Sequence, residues 1–159
     1  MSTVHDATYE VLRSLGMTTI FGNPGSNELP FINQLPSDFR YILALHEGAG
    51  LAMADGYSQA TGRPVLVSLH AAAGVGMAMG SLVNAQVLGT PLVIMSGQQS
   101  RALLTLEAQL TNRDAIVLPR PLVKWSNRSG ANILPNTTFE FSRDSRNTYR
   151  RSTKAANRS

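Results

Sequence analysis

From residue 3 to residue 95, short apolar runs take turns with longer stretches of helical spacing, and glycine or proline marks most of the junctions. Residues 3–16 hold Val4, Thr8, Val11, Leu12 and Leu15 at helical spacing, with Gly16 as the stop. Residues 18–21 read as a short β-branched strand broken by Gly22-Asn-Pro-Gly25, after which Ser26 or Asn27 is placed to cap a helix from Glu28 to Leu35. The rhythm then repeats. Residues 41–45 form an apolar run of the kind buried on both faces of a parallel sheet, residues 48–61 are Ala-rich and helix-permissive, and residues 65–69 follow as a strand after Gly62-Arg-Pro64. Residues 70–76 read as a small-residue loop, 77–88 as a helix and 92–95 as another strand. This succession predicts an α/β fold, a parallel sheet flanked by helices. Residues 103–110 read as helix, and 118–125 as an irregular stretch passing into a short strand.

After residue 126 the pattern changes. Fourteen of the last 33 residues are Ser, Thr or Asn, apolar residues follow no period, and no further strand–helix unit can be read. The expectation is one incomplete domain over residues 1–126 and a disordered basic tail over residues 127–159. Charge supports that division. Residues 1–126 carry seven basic and eight acidic side chains, residues 127–159 seven basic and two acidic, so the formal charge of +4 belongs to the tail. A basic tail on a near-neutral domain argues against a nucleic-acid-binding function. The apolar runs, broken as read here, fall short of a membrane span of about 18 residues, and the N-terminus has no basic segment followed by an apolar one, so a cytoplasmic protein without membrane partners is expected. With no cysteine and three dispersed histidines, no metal site is expected in this chain.

Candidate chemistry collects at the strand ends. In an open parallel sheet ligands bind outside the carboxyl ends of the strands, and residues 22–26, Glu47, His70 and Gln98 all follow predicted strands. Glu47 lies where a strand gives way to a helix, and it is the one carboxylate between Asp38 and Asp55. An acid in a first helical turn is ordinarily there for the helix dipole. Ser26 as a helix cap, His70 as a satisfied imidazole and Gly25 as a plain turn residue are the corresponding structural readings.

The motifs favour a functional reading. Gly22-Asn-Pro-Gly-Ser-Asn-Glu-Leu-Pro30, Leu45-His-Glu47, Ala54-Asp-Gly-Tyr57, Leu69-His-Ala-Ala-Ala-Gly74 and Leu118-Pro-Arg-Pro121 with Lys124-Trp125 resemble, in unbroken order, the N-terminal aminopyrimidine-binding domain of thiamine diphosphate enzymes. Within them the sequence is most similar to the benzoylformate decarboxylase branch. The resemblance implies that Glu47 binds the aminopyrimidine ring of thiamine diphosphate and favours the tautomer that activates the cofactor. It implies that Ser26 binds the carboxylate of a 2-keto acid substrate and that His70 handles a proton during addition and release. Gly25 and Pro24 would let the backbone approach the cofactor. One departure is Met77, where the family is expected to carry an Asn; a thioether cannot replace an amide's hydrogen bonds.

In this family a separate domain carrying Gly-Asp-Gly holds the diphosphate and its magnesium, and this chain contains no Gly-Asp-Gly. The resemblance therefore implies a homo-oligomeric family, a diphosphate-binding domain or chain as the necessary partner, and magnesium held outside these residues. The simplest expectation is the N-terminal part of a thiamine diphosphate-dependent 2-keto acid decarboxylase, cut short by truncation or frameshift and inactive alone. The alternatives are the small subunit of a split enzyme, or a non-catalytic binding protein.

Overall fold

The structure is a computed structural model that describes residues 3–111, 114–128 and 137–142. Among the described residues six strands form one sheet in the order β2-β1-β3-β4-β6-β5. β1 (Thr19–Gly22), β2 (Arg40–Leu43), β3 (Val65–Leu69) and β4 (Leu92–Gly97) are parallel, and β6 (Thr137–Ser142) and β5 (Trp125–Arg128) extend the sheet in antiparallel fashion. The expected parallel sheet flanked by helices is what the chain forms.

The helices are laid on both faces. α3 (Glu47–Thr61) and α4 (Ala71–Leu88) pack on one another and cover the face that carries Phe21, Val65, Val67, Leu69, Leu92 and Ile94. On the other face α1 (Val4–Ser14) and the single turn α2 (Leu29–Ile32) supply Tyr9, Leu12 and Phe31 against Ile20, Leu66, Val93 and Met95. Both faces are covered, so β3 and β4 are buried at every position, which is why their sequences show no alternation.

Several expectations need correction. β2 is the edge strand and ends at Leu43; Leu45 is 92% exposed, so the apolar run 41–45 is not a doubly buried strand. An edge strand has a neighbour on one side only, and this one is half-covered along its length. α2 spans one turn rather than residues 28–35, and its N-cap position is taken by Glu28, not by Ser26 or Asn27. Residues 70–76 are not a loop: α4 begins at Ala71 and runs 18 residues. Three alanines outweigh two glycines in helix propensity, and the glycines serve close packing. α4 is thus long and apolar enough by length and composition to cross a membrane, yet Ala71, Gly74, Val75, Ala78, Leu82 and Ala85 are buried in this domain. The helix expected over 103–110 is the short α5 (Arg101–Leu104) followed by turns.

β5 straddles residue 126, and β6 lies beyond it, paired along the free edge of β4. In residues 137–142, Thr-Thr-Phe-Glu-Phe-Ser, β-branched and aromatic residues make a local strand signal that the Ser/Asn-rich average concealed. The rest of the expected tail, residues 129–136 and 143–159, lies outside the described residues.

Candidate functional site

The chain runs from β1 through α2 outward to β2, then returns past β1 to β3, so the connections after β1 and β3 leave in opposite directions. That divergence opens a crevice at the carboxyl edge of the sheet. Residues 23–28 enter it from β1, Glu47 from the start of α3, His70 and Ala71 from the end of β3, and Gly97 and Gln98 from the end of β4.

Glu47 is the first residue of α3, and its neighbour His46 caps the helix by accepting the Gly48 N–H at Nδ1, 3.1 Å. The carboxylate therefore sits at the positive end of the helix dipole, where a negative charge is favoured. It is also 3% exposed and packed against α4: a methyl added at Gly74 would lie 2.9 Å from its Cγ. Among the described residues its one side-chain hydrogen bond is a long one, 3.3 Å, from Asn23 Nδ2. A carboxylate offers about four acceptor positions. Glu47 is buried with most of that capacity unused.

Glu28 is the opposite case. It is 1% exposed, and its Oε2 accepts the Gly25 N–H at 2.9 Å and faces His70 Nδ1 at 2.7 Å. Its Oε1 accepts the N–H of Ala71 at 3.1 Å and of Gly97 at 2.7 Å. One side chain thus ties together the three connections that follow β1, β3 and β4. The sequence reading missed Glu28 as a site residue, treating it as the start of a helix. The available signal was an acid three residues beyond Gly25 in a turn at a strand end; its donors, up to 69 residues away, leave no local trace.

His70 occupies the N-cap position of α4 without capping it, and its ring lies against the backbone of Gly25 so closely that a methyl there would overlap it. Ala71 follows with φ of +50°, a left-handed conformation that costs a non-glycine residue about 1–2 kcal/mol. Gly25 and His70, both expected in the site, are therefore in direct contact, and Pro24 is half-buried beside them. Ser26 is placed differently. It is exposed, makes no hydrogen bond among the described residues, and lines an open groove of about 690 Å³ with Leu29, Pro30, Ile32 and Asn33. No hydrogen bond joins it to His70 or Glu47. Met77 is 48% exposed on α4; its carbonyl oxygen, rather than its side chain, is what lies close to α3, 3.1 Å from where a Gly48 methyl would stand.

Beneath the crevice, burial pushes the Tyr41 phenol up to about 12; the Ser68 hydroxyl opposes that shift and the Glu28 charge adds to it. No group of three or more His, Cys, Asp or Glu able to hold a metal ion occurs among the described residues.

Residues 2–116 match the family described as thiamine pyrophosphate enzyme, N-terminal TPP binding domain. Benzoylformate decarboxylase of Pseudomonas aeruginosa PAO1 is 62% identical over 126 residues, covering 79% of this chain and 24% of that protein. The solved thiamine diphosphate-dependent 4-hydroxybenzoylformate decarboxylase of Rhodococcus jostii RHA1 superposes with a TM-score of 0.76 at 58% identity, over 78% of this chain and 24% of the other. Benzoylformate decarboxylase of Polynucleobacter necessarius gives the same score at 50% identity, over 79% and 24%. The chain spans about a quarter of the length of these relatives.

Proposed function

Because the chain belongs to the thiamine pyrophosphate enzymes and carries their N-terminal TPP binding domain, we propose that it forms the aminopyrimidine-holding part of a decarboxylase acting on benzoylformate or a close aryl 2-keto acid. The observation that carries this reading is the contrast between the two buried carboxylates. Glu28 is saturated by the chain's own donors, whereas Glu47, equally buried, keeps acceptor capacity for a donor from outside. A buried polar group without partners costs free energy, so the site is built to be completed by a ligand N–H. An aminopyrimidine supplies one when its ring nitrogen carries a proton, as in its imino tautomer, and Gly74 leaves room for the carboxylate beside it.

When bound, thiamine diphosphate would supply a nucleophilic carbon to add to the keto group and a cationic ring to take up the electron pair left as carbon dioxide departs. Glu47 would hold a proton between its carboxylate and the ring nitrogen, largely shielded from solvent. His70, pinned by Glu28 on one nitrogen, presents the other to the crevice for proton transfer to or from the substrate. The Ser26 hydroxyl, exposed and without a partner among the described residues, is available to the substrate carboxylate. The diphosphate and its magnesium are held by a domain or chain outside these residues.

The test joins the chain to what it does not span. Co-expressed with the remaining three quarters, roughly, of the Pseudomonas benzoylformate decarboxylase, it should restore benzaldehyde formation from benzoylformate, and Glu47→Gln should lower the rate by at least about two orders of magnitude. Restored activity that is indifferent to Glu47 refutes the reading. Titrated alone with thiamine diphosphate and magnesium in a calorimeter, the chain should bind more weakly than micromolar.

A further inference from the structure

We propose that Glu28 is the positioning residue of His70: it fixes the imidazole as its Nδ1–H tautomer, so that Nε2 enters the crevice as the lone-pair nitrogen. The inference deepens the proposed function and rests on it only for what Nε2 then does.

Glu28 meets four partners, and three of them, the N–H groups of Gly25, Ala71 and Gly97, can only donate. An ionised carboxylate can only accept. With Oε2 already accepting from Gly25, the fourth contact, 2.7 Å from His70 Nδ1, is satisfied when Nδ1 carries the proton. Free histidine in water prefers the other tautomer, so on this reading the site imposes the less favoured one.

A second observation points the same way. Ala71 holds a left-handed φ of +50° immediately after His70, and its N–H is the one bound by Glu28 Oε1. A conformation disfavoured for alanine persists where the surroundings over-determine it. Here the carboxylate grips the imidazole and the adjacent peptide together, while Gly25 lies against the ring. The Glu28 side chain is fully shielded from solvent and the His70 side chain 26% exposed. Glu28 therefore cannot reach the crevice itself and acts through the ring.

Glu28→Gln separates tautomer control from mere packing. Glutamine keeps the shape and one carbonyl acceptor for Ala71 and Gly97, but gives up the acceptor for the Gly25 N–H and presents an NH₂ donor toward Nδ1. The ring must then accept at Nδ1 and carry its proton on Nε2. Long-range ¹H–¹⁵N correlation spectra of the full chain, at a pH where the ring is neutral and assigned by loss of the signal in His70→Gln, should show Nδ1–H in the parent and Nε2–H in Glu28→Gln. If Glu28→Gln folds poorly, the same pair is compared in an Ala71→Gly background, where glycine takes the positive φ without strain. An Nε2–H ring in the parent, or a tautomer unchanged by Glu28→Gln, overturns the proposal. The spectra need no cofactor, so an Nδ1–H parent without restored decarboxylation would sink the proposed function and leave this inference standing.

Discussion

Gly74→Ala and Gly80→Ala are the same chemical change on the same helix, and the structure gives them opposite outcomes. At Gly80 an added methyl meets nothing within 4 Å. Its one effect is on the helix, which gains about 0.5–1 kcal/mol when alanine replaces glycine in its interior. At Gly74 the same gain is set against a methyl 2.9 Å from Glu47 Cγ and 3.1 Å from Oε1. Carbon atoms attract best at about 3.5–4.0 Å, so Glu47 must be driven back by half an ångström or more. Overpacking of this kind costs about 1–3 kcal/mol. The net change at Gly74 is then between about zero and 2.5 kcal/mol destabilising, and the two variants differ by about 1–3 kcal/mol.

Thermal melts followed by circular dichroism read that difference directly. For a chain of this length about 1 kcal/mol moves Tm by roughly 2–4 °C, so Gly80→Ala should melt about 1–4 °C above the parent and Gly74→Ala level with it or several degrees below. Urea titrations with an unchanged m-value would place the effect in the folded state. The carboxyl carbon resonance of Glu47 should move in Gly74→Ala and stay put in Gly80→Ala. If Gly74→Ala stabilises as much as Gly80→Ala, Glu47 is not packed on α4, and its burial, on which the proposed function depends, is wrong.

Two further outcomes follow from the same geometry. In the completed enzyme, deuterium exchange at the reactive carbon of the cofactor should be slow in Glu47→Gln but fast in His70→Ala, because the two residues hold protons at different places; equal exchange in both variants would merge the two roles. Burial pushes the Tyr9 phenol up to about 12, with a smaller push from Tyr41, and its hydroxyl donates to the Phe31 carbonyl oxygen at 2.8 Å. The folded state favours the neutral phenol. This stabilisation is complete below pH 10 and is lost as pH rises toward 12, so Tyr9→Phe should cost about 1–2 kcal/mol at neutral pH and flatten the alkaline fall in stability; an alkaline limb as steep as the parent's would refute the assignment.

How much of the fold could be read in advance depended on whether the relevant force acts locally. The runs at 65–69 and 92–95 announced doubly covered strands because burial on both faces demands apolar side chains at every position, and β3 and β4 meet that demand. The run at 41–45 carried the same signal but sits at an edge, where the chain leaves the sheet after Leu43. Nothing in five consecutive residues says whether a neighbour will stand on the second side. The start of α4 was obscured for a related reason. Glycines within residues 70–76 look like loop residues until Glu47 is brought against Gly74, at which point a small residue in a helix is a packing requirement. β6 was missed because averaging over 33 residues diluted a six-residue strand.

The site divides along the same line, and the division explains its design. That Glu47, His70 and Gly25 share one edge was legible because the α/β pattern sends every strand end there. Glu28 was not legible, since what makes it more than a helix-start acid is a set of donors drawn from three separate connections. Each of those donors is a peptide N–H left over where a strand or turn ends, which would otherwise need another partner. Burying one carboxylate satisfies all three and aligns the connections relative to one another. It also leaves the second carboxylate, Glu47, with only the long hydrogen bond from Asn23. Two acids at one edge can serve different ends because the chain spends its donors on the first. The residue it leaves unsatisfied is the one available to a ligand.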